Sequence, residues 1–374
     1  MIILGVHEGH DAGAAIIKDC QVLAAVNEER LVREKLFTGI PKLSIDKVIE
    51  ISKIEKDKID YVAISGTLGV MASLGWENLS PRKKFYQFIS NSLKLSGSMA
   101  FSNVQRAMFK SLRNKSSKEY IKSIGIKAPV YYIDHHKAHA ASAYYTSGKD
   151  NCLIITADGS GDGLSSSVYL GQNNELKLIK EIPTFHSIAY YYAYITMIAG
   201  FKMFRHEGKI TGLAAFGDPR KCYHVFEKCF TFEKDSFKNN LGLIGQPAIN
   251  YLKENLKDYS REDYSAAVQK RCEDVTSKFV EYYVNKTKVN DVALAGGLFA
   301  NVKINQKVLE TSNVNSVFIH PHMGDGGEGL GAALALYAEL SLNKGSGLKP
   351  FKLENVYFGP EYSDEEIEKA VLNE

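Results

Sequence analysis

Two histidines four residues apart, His135 and His139, stand in the run Asp134-His135-His136-Lys137-Ala138-His139-Ala140-Ala141-Ser142-Ala143. An apolar stretch, Val130 to Ile133, precedes them and reads as a strand, so the run reads as the start of a helix. At i and i+4 on that helix the two imidazoles share a face. Two neutral imidazoles on one face are half of a metal site. Two solvated histidines on a helix start would show the same spacing. His136 points about 100° away from His135 around the helix and is set aside as a ligand. The small residues that follow let another backbone pack close.

Three later segments have residue types suited to ligand binding. Glu207 to Gly217 reads as a glycine-punctuated loop around Gly208 and Gly212, with one lysine, Lys209. Ala293 to Asn301 reads as an apolar strand, a Gly296-Gly297 turn and a helix start, a form in which a ribose or phosphate can approach the backbone. His320 to Gly329 places an acid, Asp325, between glycines, and an Ala-rich helix follows from Gly331 to Ala338. Each segment alone also fits a plain tight turn between strand and helix.

The elements that must position these residues are repeated. Ile2 to Val26 and Leu153 to Leu178 each give an apolar strand, a Gly/Asp-rich turn, a second β-rich strand and a third strand. His7 falls opposite Asp158, and Asp11 opposite Asp162. Glycines in both turns let backbone N–H groups approach an anionic ligand. Two such units, each followed by helices, predict an α/β protein of two related lobes. The arrangement resembles the actin, sugar-kinase and heat-shock-chaperone ATPase superfamily, a duplicated RNase H-like fold. That resemblance implies that each lobe donates one hairpin turn to a nucleotide's phosphates in an interlobe cleft. A Rossmann fold fits less well, because neither turn gives Gly-x-Gly-x-x-Gly opening directly into a helix.

Bulk properties narrow the class. The chain has 374 residues, enough for two or three domains, and is 45% hydrophobic and 24% charged, as ordinary globular proteins are. A net charge of +3 demands no polyanionic partner. The most apolar run, Ile188 to Phe201, is too short to span a bilayer and reads as a buried helix. No signal peptide is visible at Met1 to Val6. Five cysteines without a CxxC pair point to a reducing cytoplasm. Ser80 to Lys122 is strongly basic, but its aromatics fall at helical spacing, so it reads as a solvated helical insertion rather than a nucleic-acid surface.

In combination and in order, these segments resemble the O-carbamoyltransferases of antibiotic and nodulation-factor biosynthesis, from residue 2 to the end. The matching pieces are Gly9-His10-Asp11, Asn27-Glu28-Glu29-Arg30 with Arg33 and Lys35, His135-x-x-x-His139, Asp158-Gly159, Glu207-Gly208-Lys209 with Gly212-Leu213-Ala214, Gly296-Gly297 with Asn301, and Gly324-Asp325-Gly326-Gly327. The histidine and Gly-Asp-Gly-Gly pieces also resemble the tRNA threonylcarbamoyl transferases, a sister branch. The resemblance implies a divalent metal, Fe(II) before Zn(II) or Mn(II), held by His135, His139, Asp158 and Asp325. A His2Asp2 set of borderline and hard donors suits these ions. It implies ATP or carbamoyl adenylate against Gly159, Gly161, Gly208, Gly296, Gly297, Asn301 and Gly326. Arg33, Lys35 and Lys209 would counter phosphate or oxyanion charge. His10 and Asp11 would orient the acceptor or act as base.

The expected division is a first lobe over 1–150 with the basic insertion at 80–122, a second lobe over 151–345, and a linker over 346–374. Family members continue into a C-terminal YrdC-like domain that makes carbamoyl adenylate. Ser363 N-caps a helix just before residue 374, read as the start of that missing domain. The expected activity is carbamoyl transfer from carbamoyl adenylate to a hydroxyl of a small molecule or sugar. A tRNA threonylcarbamoyl-type transferase and a non-catalytic nucleotide-binding module are the alternatives. No membrane or nucleic-acid partner is expected, and a homodimer is allowed.

Overall fold

The computed structural model describes residues 1–66 and 116–372. The basic insertion expected at 80–122 lies outside the described residues up to 115, and its end falls in a helix, Ser116–Ser123.

Strands β1 (Ile2–His7), β2 (Gly13–Lys18), β3 (Gln21–Asn27), β4 (Tyr61–Ser65) and β5 (Val130–Ile133) form a sheet in the order β3-β2-β1-β4-β5. β1, β2 and β3 pair antiparallel as consecutive hairpins, whereas β1, β4 and β5 run parallel. Strands β6 (Cys152–Gly161), β7 (Leu164–Gln172) and β8 (Glu175–Pro183) form a second set of antiparallel hairpins. A small hairpin of β9 (Phe230–Glu233) and β10 (Ser236–Asn239) stands apart. β11 (Asp291–Ala295) and β12 (Ser316–Ile319) then extend β6 in parallel, giving the order β12-β11-β6-β7-β8. Read from the other edge this is the order of the first sheet, strand for strand. The chain therefore has the two-lobed, duplicated α/β architecture of the actin-like ATPases and sugar kinases that its repeat resembles. The turn residues match too: Asp11 (φ 59°) and Asp162 (φ 51°) both adopt the left-handed conformation that Asp tolerates.

Two helices fill the space between the sheets. His135–Tyr145 buries every residue but Lys137, and Glu328–Leu342 buries most of its length. Their alanines share one core with Ile3, Ala15 and Ile17 of the first sheet and Ile154 and Ala293 of the second. A helix wedged between two sheets has little solvent face, so most of it reads apolar and small. Glycine is required at the closest crossings. A Cβ on Gly5 of β1 would overlap the carbonyl oxygen of Gly329, and one on Gly331 would overlap that of Ala138. The outer faces carry separate cores. Leu4, Val6 and Ile64 pack on the helix Lys42–Ser52, and Leu153, Ile155 and Val292 pack on a larger set of second-lobe helices.

The charged run after β3 is largely structural. It forms a short helix, Glu28–Val32. The buried Glu28 carboxylate accepts the backbone N–H groups of Leu43 (3.0 Å) and Ser44 (2.7 Å) at the start of Lys42–Ser52, where the helix leaves them unpaired. Glu29 accepts the N–H of Leu36 (2.8 Å). One reading is corrected: Glu207–Ala214 is a helix, not a loop. Gly208 and Gly212 are four residues apart, so both fall on one face and remove side chains there without breaking the turn. Ser363 does cap the last helix, Asp364–Leu372, through a reciprocal pair with Glu366. That helix buries none of its residues.

Candidate active site

The strand ends of both sheets point into one cleft of about 750 Å³ between the lobes. Four side chains meet at its floor, with His135, Asp158 and Asp325 lining it and His139 buried behind them. Donor atoms of His135, His139, Asp158 and Asp325 all lie within 4.8 Å of one another. His139 Nε2 is 3.3 Å from Asp158 Oδ2 and 3.5 Å from Asp325 Oδ1, and His135 Nε2 is 3.8 and 3.9 Å from the same oxygens. Each residue has a local reason to be there. The histidines open their helix, whose first N–H, on His135, is accepted by Asp162 (2.9 Å) in the second-lobe turn. Asp158 ends the apolar part of β6, where its two oxygens accept the N–H groups of Gly159 (2.6 Å) and Gly297 (3.2 Å). Asp325 begins the 3-10 turn leading into Glu328–Leu342.

The donor set fits a divalent cation. The Nε2 atoms of His135 and His139 are buried and make no hydrogen bond. Buried imidazole nitrogens left unpaired beside two carboxylates are the expected state of ligands awaiting a metal.

Charge in the cluster is mutually supported. Burial works against protonating His135 and His139, but the neighbouring Glu328 and Asp158 carboxylates prevail, holding His135 well above its usual value and His139 at about 9. Conversely, burial would raise Asp158 and Glu328, yet the histidines hold both carboxyls well below the usual range. The sign for metal uptake follows. Without a metal His139 holds its proton up to about pH 9 and His135 is likewise held well above its usual value, and these protons must leave before nitrogen can coordinate. Affinity for Zn(II) or Mn(II) should therefore rise from pH 6 to 9, by up to about tenfold per unit for each proton displaced. Calorimetry in buffers of different ionisation enthalpy should show proton release, and a flat profile with none released would contradict it.

His136 takes no part. It is fully buried, its Nδ1 is 2.8 Å from Thr156 Oγ1, and burial together with its charged neighbours pushes its pKa down to about 3.

Around the floor, the structure brings together some of the residues expected from sequence and separates others. His10, Asp11, Gly159, Gly161, Gly208, Gly297 and Asn301 all face the cleft. Asp11 is buried, and its Oδ2 is 3.2 Å from His322 Nε2. Burial raises the Asp11 carboxyl, partly offset by His322. Gly161 has a second duty, because a Cβ there would overlap the His135 ring. Asn301 caps the helix Val302–Leu309 and gives its amide to Gln269 (2.7 Å).

Five residues stand elsewhere. Arg33 and Lys35 are exposed and outside the cleft wall, because the left-handed Arg33 turns the chain away at the end of Glu28–Val32. Lys209 projects from the far side of its helix, with its ammonium 4.9 Å from the centre of the Phe201 ring. Gly296 and Gly326 are packing glycines. A Cβ on Gly296 (φ 98°) would overlap the Ala157 carbonyl, and one on Gly326 would overlap Asn27 and His322. Both lie outside the cleft wall.

Other residues escaped the sequence reading as site groups. His7 and Ser65, at the ends of β1 and β4, and Glu328, the first residue of its helix, gather beneath the histidines. His7 carried one signal, its place opposite Asp158 in the repeat. Glu328 carried none, since a carboxylate at a helix start ordinarily faces solvent. Tyr190 and Phe204 form an apolar wall at the open side, with ring centres 6.3 Å apart.

Among the described residues no helix is long and apolar enough to cross a membrane. The chain is 28% identical to the uncharacterized protein MJ1051 of Methanocaldococcus jannaschii, over 99% of this chain and 62% of that one. It is also 28% identical to the nodulation protein NolNO of Sinorhizobium fredii, over 97% and 51%. It thus spans about half to three fifths of these relatives. Among solved structures, it resembles component A of the Acidaminococcus fermentans (R)-2-hydroxyglutaryl-CoA dehydratase, with a TM-score of 0.49 and 14% identity, covering 91% of this chain and 99% of that one. A family model described as carbamoyltransferase N-terminus matches residues 2–334. That match takes in both sheets, the cleft and all four residues of the cluster, and the chain belongs to the carbamoyltransferase N-terminal family.

Proposed function

We propose that this chain carries the transfer site of a carbamoyltransferase, which moves a carbamoyl group from carbamoyl adenylate to a hydroxyl of a small-molecule or sugar acceptor. The observation that carries the reading is the His135/His139/Asp158/Asp325 cluster in the floor of a cleft rimmed by two matching hairpin turns. A divalent metal held by those four residues, Fe(II) before Zn(II) or Mn(II), would supply Lewis-acid polarisation and neutralise anionic charge. The chain's own groups divide the remaining work. Gly159, Gly161, Gly208 and Gly297 leave backbone open to the adenylate's anionic and ribose portions. Asp11, buried and held by His322, is placed to take the acceptor hydroxyl's proton. Tyr190 and Phe204 shield that side of the cleft from water, which would otherwise hydrolyse the donor.

Metal-loaded protein given preformed carbamoyl adenylate and a panel of sugar hydroxyl acceptors should release AMP in an acceptor-dependent way. Asp11→Asn should lower that rate by roughly 10²–10⁴-fold, the usual contribution of a positioned base. Failure of the metal-loaded chain to bind the adenylate at all would sink the reading.

A further inference from the structure

We propose that Glu328 is a positioning residue for the metal site, orienting His135 through its Nδ1–H so that Nε2 is the donor presented, with His7 and Ser65 holding Glu328 for that task. The inference rests on the metal-site reading above and names residues outside the four-member cluster.

The geometry is closed on every side. Glu328 is fully buried. One carboxylate oxygen, Oε1, is 3.0 Å from His135 Nδ1. The same oxygen is 3.4 Å from His139 Nε2. The other oxygen, Oε2, is 2.8 Å from His7 Nδ1 and accepts the Ser65 hydroxyl. His7 Nε2 lies 3.0 Å from the His10 carbonyl oxygen. His7 is thus lodged between two acceptors, the Glu328 carboxylate and the His10 carbonyl. His7 and Ser65 brace Oε2 from the first sheet, while Asp158 and Asp325 face the imidazole donors. A buried carboxylate kept at this cost needs a task.

That task follows from the ring it touches. Nδ1 of His135 lies beside a carboxylate oxygen, a placement that favours the hydrogen on Nδ1 and leaves Nε2 as the lone-pair donor. Nε2 is the buried nitrogen without a hydrogen bond that points toward Asp158 and Asp325. The elements explain the reach. Glu328 opens the helix wedged between the sheets, while His7 and Ser65 pair in register at the ends of β1 and β4. The first lobe thereby grips a ligand from below.

The test uses the full chain as wild type, Glu328→Gln and Ser65→Ala, with Zn(II) affinity measured by chelator competition and folding by thermal melting. Glu328→Gln should weaken Zn(II) by roughly 10–100-fold, the usual effect of losing such a partner. Ser65→Ala should weaken it less, and it decides the matter if the Gln variant does not fold. In the Zn(II)-loaded protein the His135 Nδ1–H proton resonance should move upfield in Glu328→Gln, which general loosening of the fold would not produce. Co(II)-loaded wild type and Glu328→Gln should share the same absorption intensity, as they would with the same coordination number. Wild-type affinity in both variants would overturn the inference while leaving the metal site intact. A changed coordination number in Glu328→Gln would also overturn it, making Glu328 a ligand. Absence of metal from the wild type would instead overturn the site reading itself.

Discussion

His139→Ala and Asp325→Ala are each expected to strip the bound metal, while His136→Ala should keep it and lose stability instead. His139 is buried with an unpaired Nε2, 3.3 and 3.5 Å from the two aspartate oxygens, so removing it leaves three donors facing a gap. The loss should exceed the roughly 10–100-fold drop typical of an outer-shell partner. His136 sits between the two ligands in sequence and is as deeply buried, yet its nitrogen faces Thr156. Truncating its ring opens a cavity and removes one of the Thr156 hydroxyl's partners, leaving it the Ser167 backbone, at a cost of about 2–4 kcal/mol. Metal content after dialysis, read beside a melting curve, separates the two effects. Equal metal retention by all three variants would remove the ligand assignment.

The contrast between His136 and His139 shows what the sequence made legible. Helical periodicity alone placed His135 and His139 on one face and His136 off it. Asp158 and Asp325 were named through the family resemblance, and their places after an apolar strand and in a glycine turn agreed with it, since strand ends of an α/β sheet meet its ligand. The repeat was legible because turn chemistry recurs: Asp11 and Asp162 need the same left-handed backbone.

Direction was not legible. Lys209 has the charge to meet a phosphate, but a helix set by Gly208 and Gly212 aims it at Phe201. Nor does a glycine say whether a ligand or the protein's own backbone comes close. Gly297 faces the cleft, whereas its neighbour Gly296 makes room for the Ala157 carbonyl. Glu328 was hidden for a third reason. Its environment is built from His7, Ser65, His135 and His139, which lie 189 or more positions away in the chain. No local pattern reports a contact of that separation.

Gly331→Val is expected to lower stability and metal affinity together, because one crossing sets both. The His135–Tyr145 helix carries two ligands, and the Glu328–Leu342 helix follows directly after a third, Asp325. They touch backbone to backbone where Gly331 meets the Ala138 carbonyl, with the Ser142 Cβ close by. A valine there places a branched side chain where not even a Cβ fits, and at this crossing both helices are packed between the sheets. Overpacking of this kind costs about 1–3 kcal/mol, and displaced backbone adds to that. Any separation of the helices also moves Asp325 from His139, which sits next to Ala138, so metal affinity should fall by more than ten times. Lys137→Ala is the control on the same helix. It removes only a half-exposed pair with Glu339, and should change stability by roughly 0.5 kcal/mol or less and leave metal content unchanged. If Gly331→Val melted and bound metal as the wild type does, the helix crossing would not be what holds the two halves of the site in register.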